Sequence, residues 1–236
     1  MQLAWFKTVD LYIGQGLVLL KLSPEETHIF EFPVTMPLDR ALMKSNGMIQ
    51  KGTKLRIALS SLLCSPLNVE IPPTVVNARE VNAILSACAA EQLHELNTEF
   101  AYSIDSNTKS LGAVIPVYTE NILKTWAKQL KCSVTSLQPL WSIASRFDIC
   151  KNTDINSFVL HEPDGSILIA ETQDGRFNAV GWRESLSPEL LKQNCRNSLI
   201  GLGLTEQNLI RFRFEARPIN FMTPAPAAWP KHWSML

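Results

Sequence analysis

Leu11-Tyr12-Ile13-Gly14-Gln15-Gly16, Leu17–Leu22, Ser23-Pro24-Glu25-Glu26 and Thr27–Phe32 follow one another near the start of the chain. Two apolar runs flank the Ser-Pro-Glu-Glu turn, which is the pattern of a β-hairpin. Gly14 and Gly16 mark a bend or a close approach before the first long strand. In the second run His28, Phe30 and Phe32 alternate with Ile29 and Glu31, so one face of that strand is read as aromatic.

Working outward, Leu38–Met48 has the spacing of a short helix stopped at Gly52. Leu55–Leu59 reads as a strand continuing towards Cys64, and Pro66, Pro72 and Pro73 make the next stretch a loop or an edge segment. Asn77 is a helix N-cap, with Glu80 three residues on and Val81, Ile84, Leu85 and Cys88 at helical spacing. Phe100–Ile104 and Leu111–Ile115 read as strands around Asp105-Ser106-Asn107. A helix over about 119–131 follows, striped by Ile122, Leu123, Trp126, Ala127 and Leu130. Then come a strand at Val134–Leu137 and a helical stretch around Leu140–Ala144.

From Phe158 the hairpin pattern returns. Phe158–His161, Ile167–Ala170 and Phe177–Trp182 are separated by Glu162-Pro163-Asp164-Gly165 and Gln173-Asp174-Gly175, both strong turn signals between apolar runs. Ser187-Pro188-Glu189 opens a helix striped by Leu190, Leu191, Cys195 and Leu199, ended by Gly201 or Gly203. Leu209–Phe214 alternates as a last strand. The expected organisation is α/β, in two halves that each open with antiparallel hairpins followed by helices. Residues 1–117 form the first half, 118–222 the second, and 223–236 a tail rich in Pro and Trp.

Composition bounds the function. The 236 residues hold 22 Lys plus Arg and 22 Asp plus Glu, for a formal net charge of zero. A general electrostatic nucleic-acid binder would carry a basic excess, so none is expected. Absence of net repulsion favours self-association or a protein partner. The five cysteines, Cys64, Cys88, Cys132, Cys150 and Cys195, are widely spread with no CxxC pair, which reads as buried thiols in a reducing compartment. No window approaches the roughly 20 apolar residues of a membrane span, and the opening residues lack a signal-peptide pattern. A soluble, cytoplasmic chain is expected.

No catalytic set emerges. Gly14-Gln15-Gly16 lacks the third glycine of a dinucleotide fingerprint and the Gly-Lys-Ser/Thr ending of a Walker loop. The carboxylates of Glu162, Asp164 and Asp174 are explained as turn chemistry. His28, His94, His161 and His232 are scattered with no metal spacing. Ser60 and Ser61 lack the glycines of a nucleophile elbow and read as a solvated strand end. Trp126, Trp141 and Trp182 are read as core. Trp229 and Trp233 stand in a Pro-rich tail and either fold back on the domain or bind a partner.

The order of these elements resembles the actin-like (ribonuclease-H-like) fold. Leu11–Gly14 with Leu17–Leu22 looks like its first hairpin, and Phe158–Trp182 like the hairpin opening its second half. Within that fold the chain is most similar to the assembly-platform proteins of type IV pilus and type II secretion machines (PilM- and GspL-like). The resemblance implies a bacterial, non-catalytic scaffold that binds protein partners at the inner membrane and requires no cofactor. Its alternative implication is an ATPase or kinase with a nucleotide between the two halves, touching Gly14, Gly16, Asp164 and Gly165. The acidic and small polar residues that flank the glycine in ATP-binding members are replaced here by Tyr12-Ile13 and Gln15-Gly16-Leu17.

Overall fold

The computed structural model describes residues 8–23, 25–75, 77–93, 99–104, 110–144, 157–182, 188–204 and 209–213. Its first sheet begins with β1 (Thr8–Gly14), β2 (Leu17–Lys21) and β3 (Thr27–Glu31), an antiparallel meander. Helix α1 (Leu38–Met43) and a 3₁₀ turn at Asn46–Met48 lead to β4 (Lys54–Leu59), which pairs parallel with β1. The single helix expected over 38–48 is therefore broken. The Ser45 hydroxyl donates to Leu42 O at 2.7 Å, competing with continued helical pairing just where α1 stops.

β5 (Ser65–Asn68), β6 (Phe100–Ile104) and β7 (Leu111–Pro116) form a small separate sheet in the order β5-β7-β6. Helix α2 (Ala78–Leu93) packs on it through Leu85 and Ala89. Its cap is the expected one: the Glu80 amide donates to Asn77 Oδ1 at 2.9 Å. Pro66 lies in β5, an edge strand of this sheet, where its missing N–H leaves little unsatisfied.

Helix α3 (Val117–Gln129) returns the chain to β8 (Ser133–Pro139), which adds parallel to β4. The first sheet therefore runs β3-β2-β1-β4-β8. β8 belongs to it although it lies beyond the 117/118 boundary expected from the sequence. The helix α4 (Leu140–Ala144) that follows is wholly buried.

The second sheet repeats the first. β9 (Ser157–Glu162), β10 (Gly165–Glu171) and β11 (Phe177–Trp182) form an antiparallel meander. Helix α5 (Pro188–Gly201) then leads to β12 (Leu209–Arg213), parallel to β9. Its order, β11-β10-β9-β12, matches β3-β2-β1-β4. The repetition is one of topology: each meander leaves its first strand inside, with a free edge that a crossover strand covers.

One apolar core joins the two sheets. Leu11, Tyr12, Ile13, Ile57, Leu59 and Trp141 belong to the same cluster as Phe158, Leu160, Ile167 and Ile169. A smaller core behind the second sheet holds Val159, Leu168, Leu191, Cys195 and Leu199, on the α5 side. Alternate residues of β9 and β10 thus face different cores, as a two-residue side-chain period requires. Trp126 and Trp141 are buried as expected, whereas Trp182 is only partly buried against the smaller core. Asp105–Asn107, His94, Cys150, Ser187, His232, Trp229, Trp233 and the rest of the tail lie outside the described residues.

Candidate functional site

The two hairpin turns that open the two sheets meet. Gly14-Gln15-Gly16 joins β1 to β2, and Pro163-Asp164 joins β9 to β10. The backbone N–H of Gln15 donates to Asp164 Oδ2 at 2.7 Å, and the Tyr12 hydroxyl donates to Asp164 Oδ1 at 3.2 Å. Both oxygens of one carboxylate are held by groups of the opposite half.

The glycines of this clasp serve two different needs. Gly16 has φ +79°, a left-handed turn conformation that costs a side-chain-bearing residue about 1 kcal/mol or more. Gly14 and Gly165 instead permit close approach. A Cβ on Gly14 would stand 2.9 Å from Asp164 Oδ2, and one on Gly165 would stand 2.7 Å from Trp182 O. Gly165 is absent from the positive-φ residues, so the Asp164-Gly165 turn does not use a left-handed glycine. The second Asp-Gly turn is different, with Gly175 at φ +76°.

Beneath the clasp lies a second, buried contact. Ser61 donates to Glu162 Oε2 through its amide at 2.8 Å and its hydroxyl at 2.5 Å. Ser61 is no solvated strand end: β4 stops at Leu59, and the Ser60 amide donates to Ile13 O while the chain turns inward. Ser60 and Ser61 are both buried. Glu162 is likewise buried, so turn chemistry alone does not account for it. Period-two alternation carries it to the core side, since Phe158 and Leu160 point there from the same strand.

The electrostatics follow from burial. Removal from water pushes the Glu162 carboxyl up to about 8, outweighing the two bonds from Ser61, so the group holds its proton at neutral pH. Burial also raises the Tyr12 phenol, helped by the nearby Glu162 and Asp164, and pushes the Cys64 thiol up to about 12. A thiol so held is inert as a nucleophile. Glu162 Oε1 is buried without a hydrogen-bond partner among the described residues. Ser61 and Glu162 could in principle be a nucleophile and its base, but neither is open to a substrate at this depth. Among the described residues no group of three or more His, Cys, Asp and Glu could hold a metal.

Further contacts tie the small sheet to the second one. The Asn68 side-chain amide accepts from the Ala179 N–H at 2.7 Å and donates to Ala179 O at 3.2 Å. Ser110 Oγ accepts from the Phe177 N–H at 2.7 Å. These side chains occupy backbone groups of β11, the outer strand of its sheet, and so close an edge that could otherwise pair with another chain.

Of the residues singled out from the sequence, the structure brings Gly14, Asp164 and Gly165 to one place, with Gly16 beside them. Tyr12, Ser61 and Glu162 complete that seam, and no short motif marks them. Only the alternation along β9 signals that Glu162 points inward.

No protein-family profile matches the chain, and no curated protein matches its sequence. Solved structures do match. A Bacteroides thetaiotaomicron VPI-5482 protein with actin-like ATPase fold and unknown function superposes with a TM-score of 0.60 at 10% identity, over 90% of this chain and 84% of that one. A chain of the PilM–PilN type IV pilus biogenesis complex matches with a TM-score of 0.52 at 11% identity, over 82% and 66% of the two chains. The cytoplasmic domain of EpsL, an inner membrane component of the type II secretion system of Vibrio cholerae, gives a TM-score of 0.48 at 12% identity, over 73% and 70%. The first two likenesses, with the repeated strand order, give the chain the actin-like fold expected from its hairpins.

Proposed function

We propose that this chain is a non-catalytic scaffold or adaptor of a bacterial pilus or secretion assembly platform, acting by protein–protein binding. The observation that carries the non-catalytic part is the clasp between Gln15 N–H and the Asp164 carboxylate. A nucleotide bound between the halves would need such turn N–H groups for its phosphates. Here a fixed anion of the protein itself already takes that bond. The assembly-platform setting draws its support from the fold shared with a chain of the pilus biogenesis complex. Work at the cytoplasmic face of the inner membrane belongs to the same proposal. No described helix is long and apolar enough to cross a membrane.

Two measurements test this reading. Thermal melting with millimolar ATP and Mg²⁺ is expected to leave Tm unchanged. A ligand at 100-fold its Kd stabilises by about 2.7 kcal/mol, so an upward shift of several degrees would overturn the non-catalytic reading. Trp229 and Trp233 are proposed as the partner-binding residues of the tail. Partners recovered by the full chain and by a chain ending at residue 222 should differ. Identical sets would remove the tail from the function.

A further inference from the structure

α3 and β8 enclose an open groove of about 520 Å³ at the outer edge of the first sheet. Its floor is apolar, from Leu123, Ala127, Val134 and Leu137, and its rim carries Lys124, Lys128 and Lys131. We propose that this groove binds an extended acidic segment of a partner protein, which adds to β8 as a further strand.

Three observations converge on that occupant. The first is the edge itself. β8 is the terminal strand of its sheet, pairing with β4 on one side and with no other strand among the described residues. Its outer side therefore presents backbone donors and acceptors suited to strand addition. Four consecutive β8 residues, Val134–Leu137, line the groove; Thr135 is bulged out of register with β4, which leaves Val134, Ser136 and Leu137 as the regularly paired positions beside which an added strand would lie.

The second observation is charge. Glu120 is the only acidic residue lining the groove, and it is already held by Lys124 at 2.6 Å, one turn along α3. Lys128 and Lys131 are exposed and form no ion pair among the described residues. A chain of zero net charge thus shows a local basic rim over an apolar floor. Carboxylates beside branched apolar side chains complement it.

The third is strain at the rim. Lys131 has φ +57°, and it is the only non-glycine residue with positive φ among the described residues. Just past the end of α3, that position is one where glycine is ordinarily preferred, and a lysine there costs about 1 kcal/mol. The turn is fixed by backbone bonds, from the Lys131 N–H to Lys128 O and from the Cys132 N–H to Ala127 O, so the exposed ammonium is not used in closing it. A cation is favoured at that helix end, and here it adds to the basic rim of the groove.

The test uses the full chain and a fluorescein-labelled hexapeptide, Glu-Ile-Thr-Val-Glu-Glu, followed by anisotropy at low salt. In an extended peptide the isoleucine, the valine and the last glutamate share one face. Saturable binding is expected. The double variant Lys128→Glu with Lys131→Glu should weaken it about tenfold or more, and alternate backbone N-methylation of the peptide should do the same. Both lysines are exposed, so an unchanged urea midpoint will show that the variant is folded. Absence of binding, or equal binding of a peptide with lysine in place of glutamate, would overturn the proposal. So would a concentration-dependent dimer abolished by the same double variant, which would make a second copy of the chain the occupant.

Discussion

The Gln15 amide and the Asp164 carboxylate lie 149 positions apart in sequence and 2.7 Å apart in the fold. That one bond joins the opening turns of the two repeated meanders. It also occupies, with a carboxylate of the protein itself, a turn N–H of the kind that can meet an anion.

Replacing Asp164 with Ala strips the Gln15 N–H and the Tyr12 hydroxyl of their shared acceptor. Asp164 is half-buried, so a loss of about 1–2 kcal/mol is expected, read as a lower urea midpoint at unchanged m. Asp164→Asn keeps an acceptor without the charge and should lose less than the alanine variant, because charge-assisted bonds are about twice as strong as neutral ones but a neutral bond still remains.

Glu162 makes stability depend on pH in a direction opposite to most carboxylates. Its folded value of about 8 lies above the ordinary value of 4.5, so between these limits the folded state holds a proton that the unfolded state has released. Its contribution is complete below about pH 4.5, shrinks by up to about 1.4 kcal/mol per pH unit, and is gone above about pH 8. Glu162→Gln keeps the acceptor for Ser61 and removes the titration. Urea midpoints from pH 5 to 8 should therefore fall more steeply for the parent chain than for this variant.

Gly165 and Gly201 should respond oppositely to alanine. A Cβ at Gly165 would meet backbone, Trp182 O at 2.7 Å, and β9, β10 and β11 would have to shift. A cost of about 1–3 kcal/mol is expected. Gly201 has nothing within 4 Å of its Cβ position and ends α5, so Gly201→Ala should be neutral or stabilise by about 0.5 kcal/mol. Thermal melts of the two variants make the comparison.

Asn68→Ala should open the outer edge of β11. Two backbone groups of Ala179 lose their partners together, at a cost of about 1–2 kcal/mol where water replaces the amide. Hydrogen exchange at the Ala179 amide should speed up, while exchange at Leu160, inside the sheet, should change only with global stability.

Much of this fold is written in local pattern. The meander at 158–182 follows from alternation and its Asp-Gly turns, and the α2 start follows from Asn77. The departures from expectation have local causes too. The helix over 38–48 is interrupted by a serine that bonds its own preceding turn. Ser60 and Ser61 look like a polar strand end because nothing in their own neighbourhood reveals a buried carboxylate 101 positions away.

Local sequence was enough for most of the elements, for their order and for the left-handed turn glycines Gly16 and Gly175. All of these depend on residues within a few positions of one another. Packing alone closed the two turns on each other, buried Glu162 and kept it protonated. Packing likewise left β8 as the edge of its sheet among the described residues, beside Lys124, Lys128 and Lys131. Those outcomes depend on which surfaces meet, and desolvation and hydrogen bonding across the seam exist only once the halves have come together.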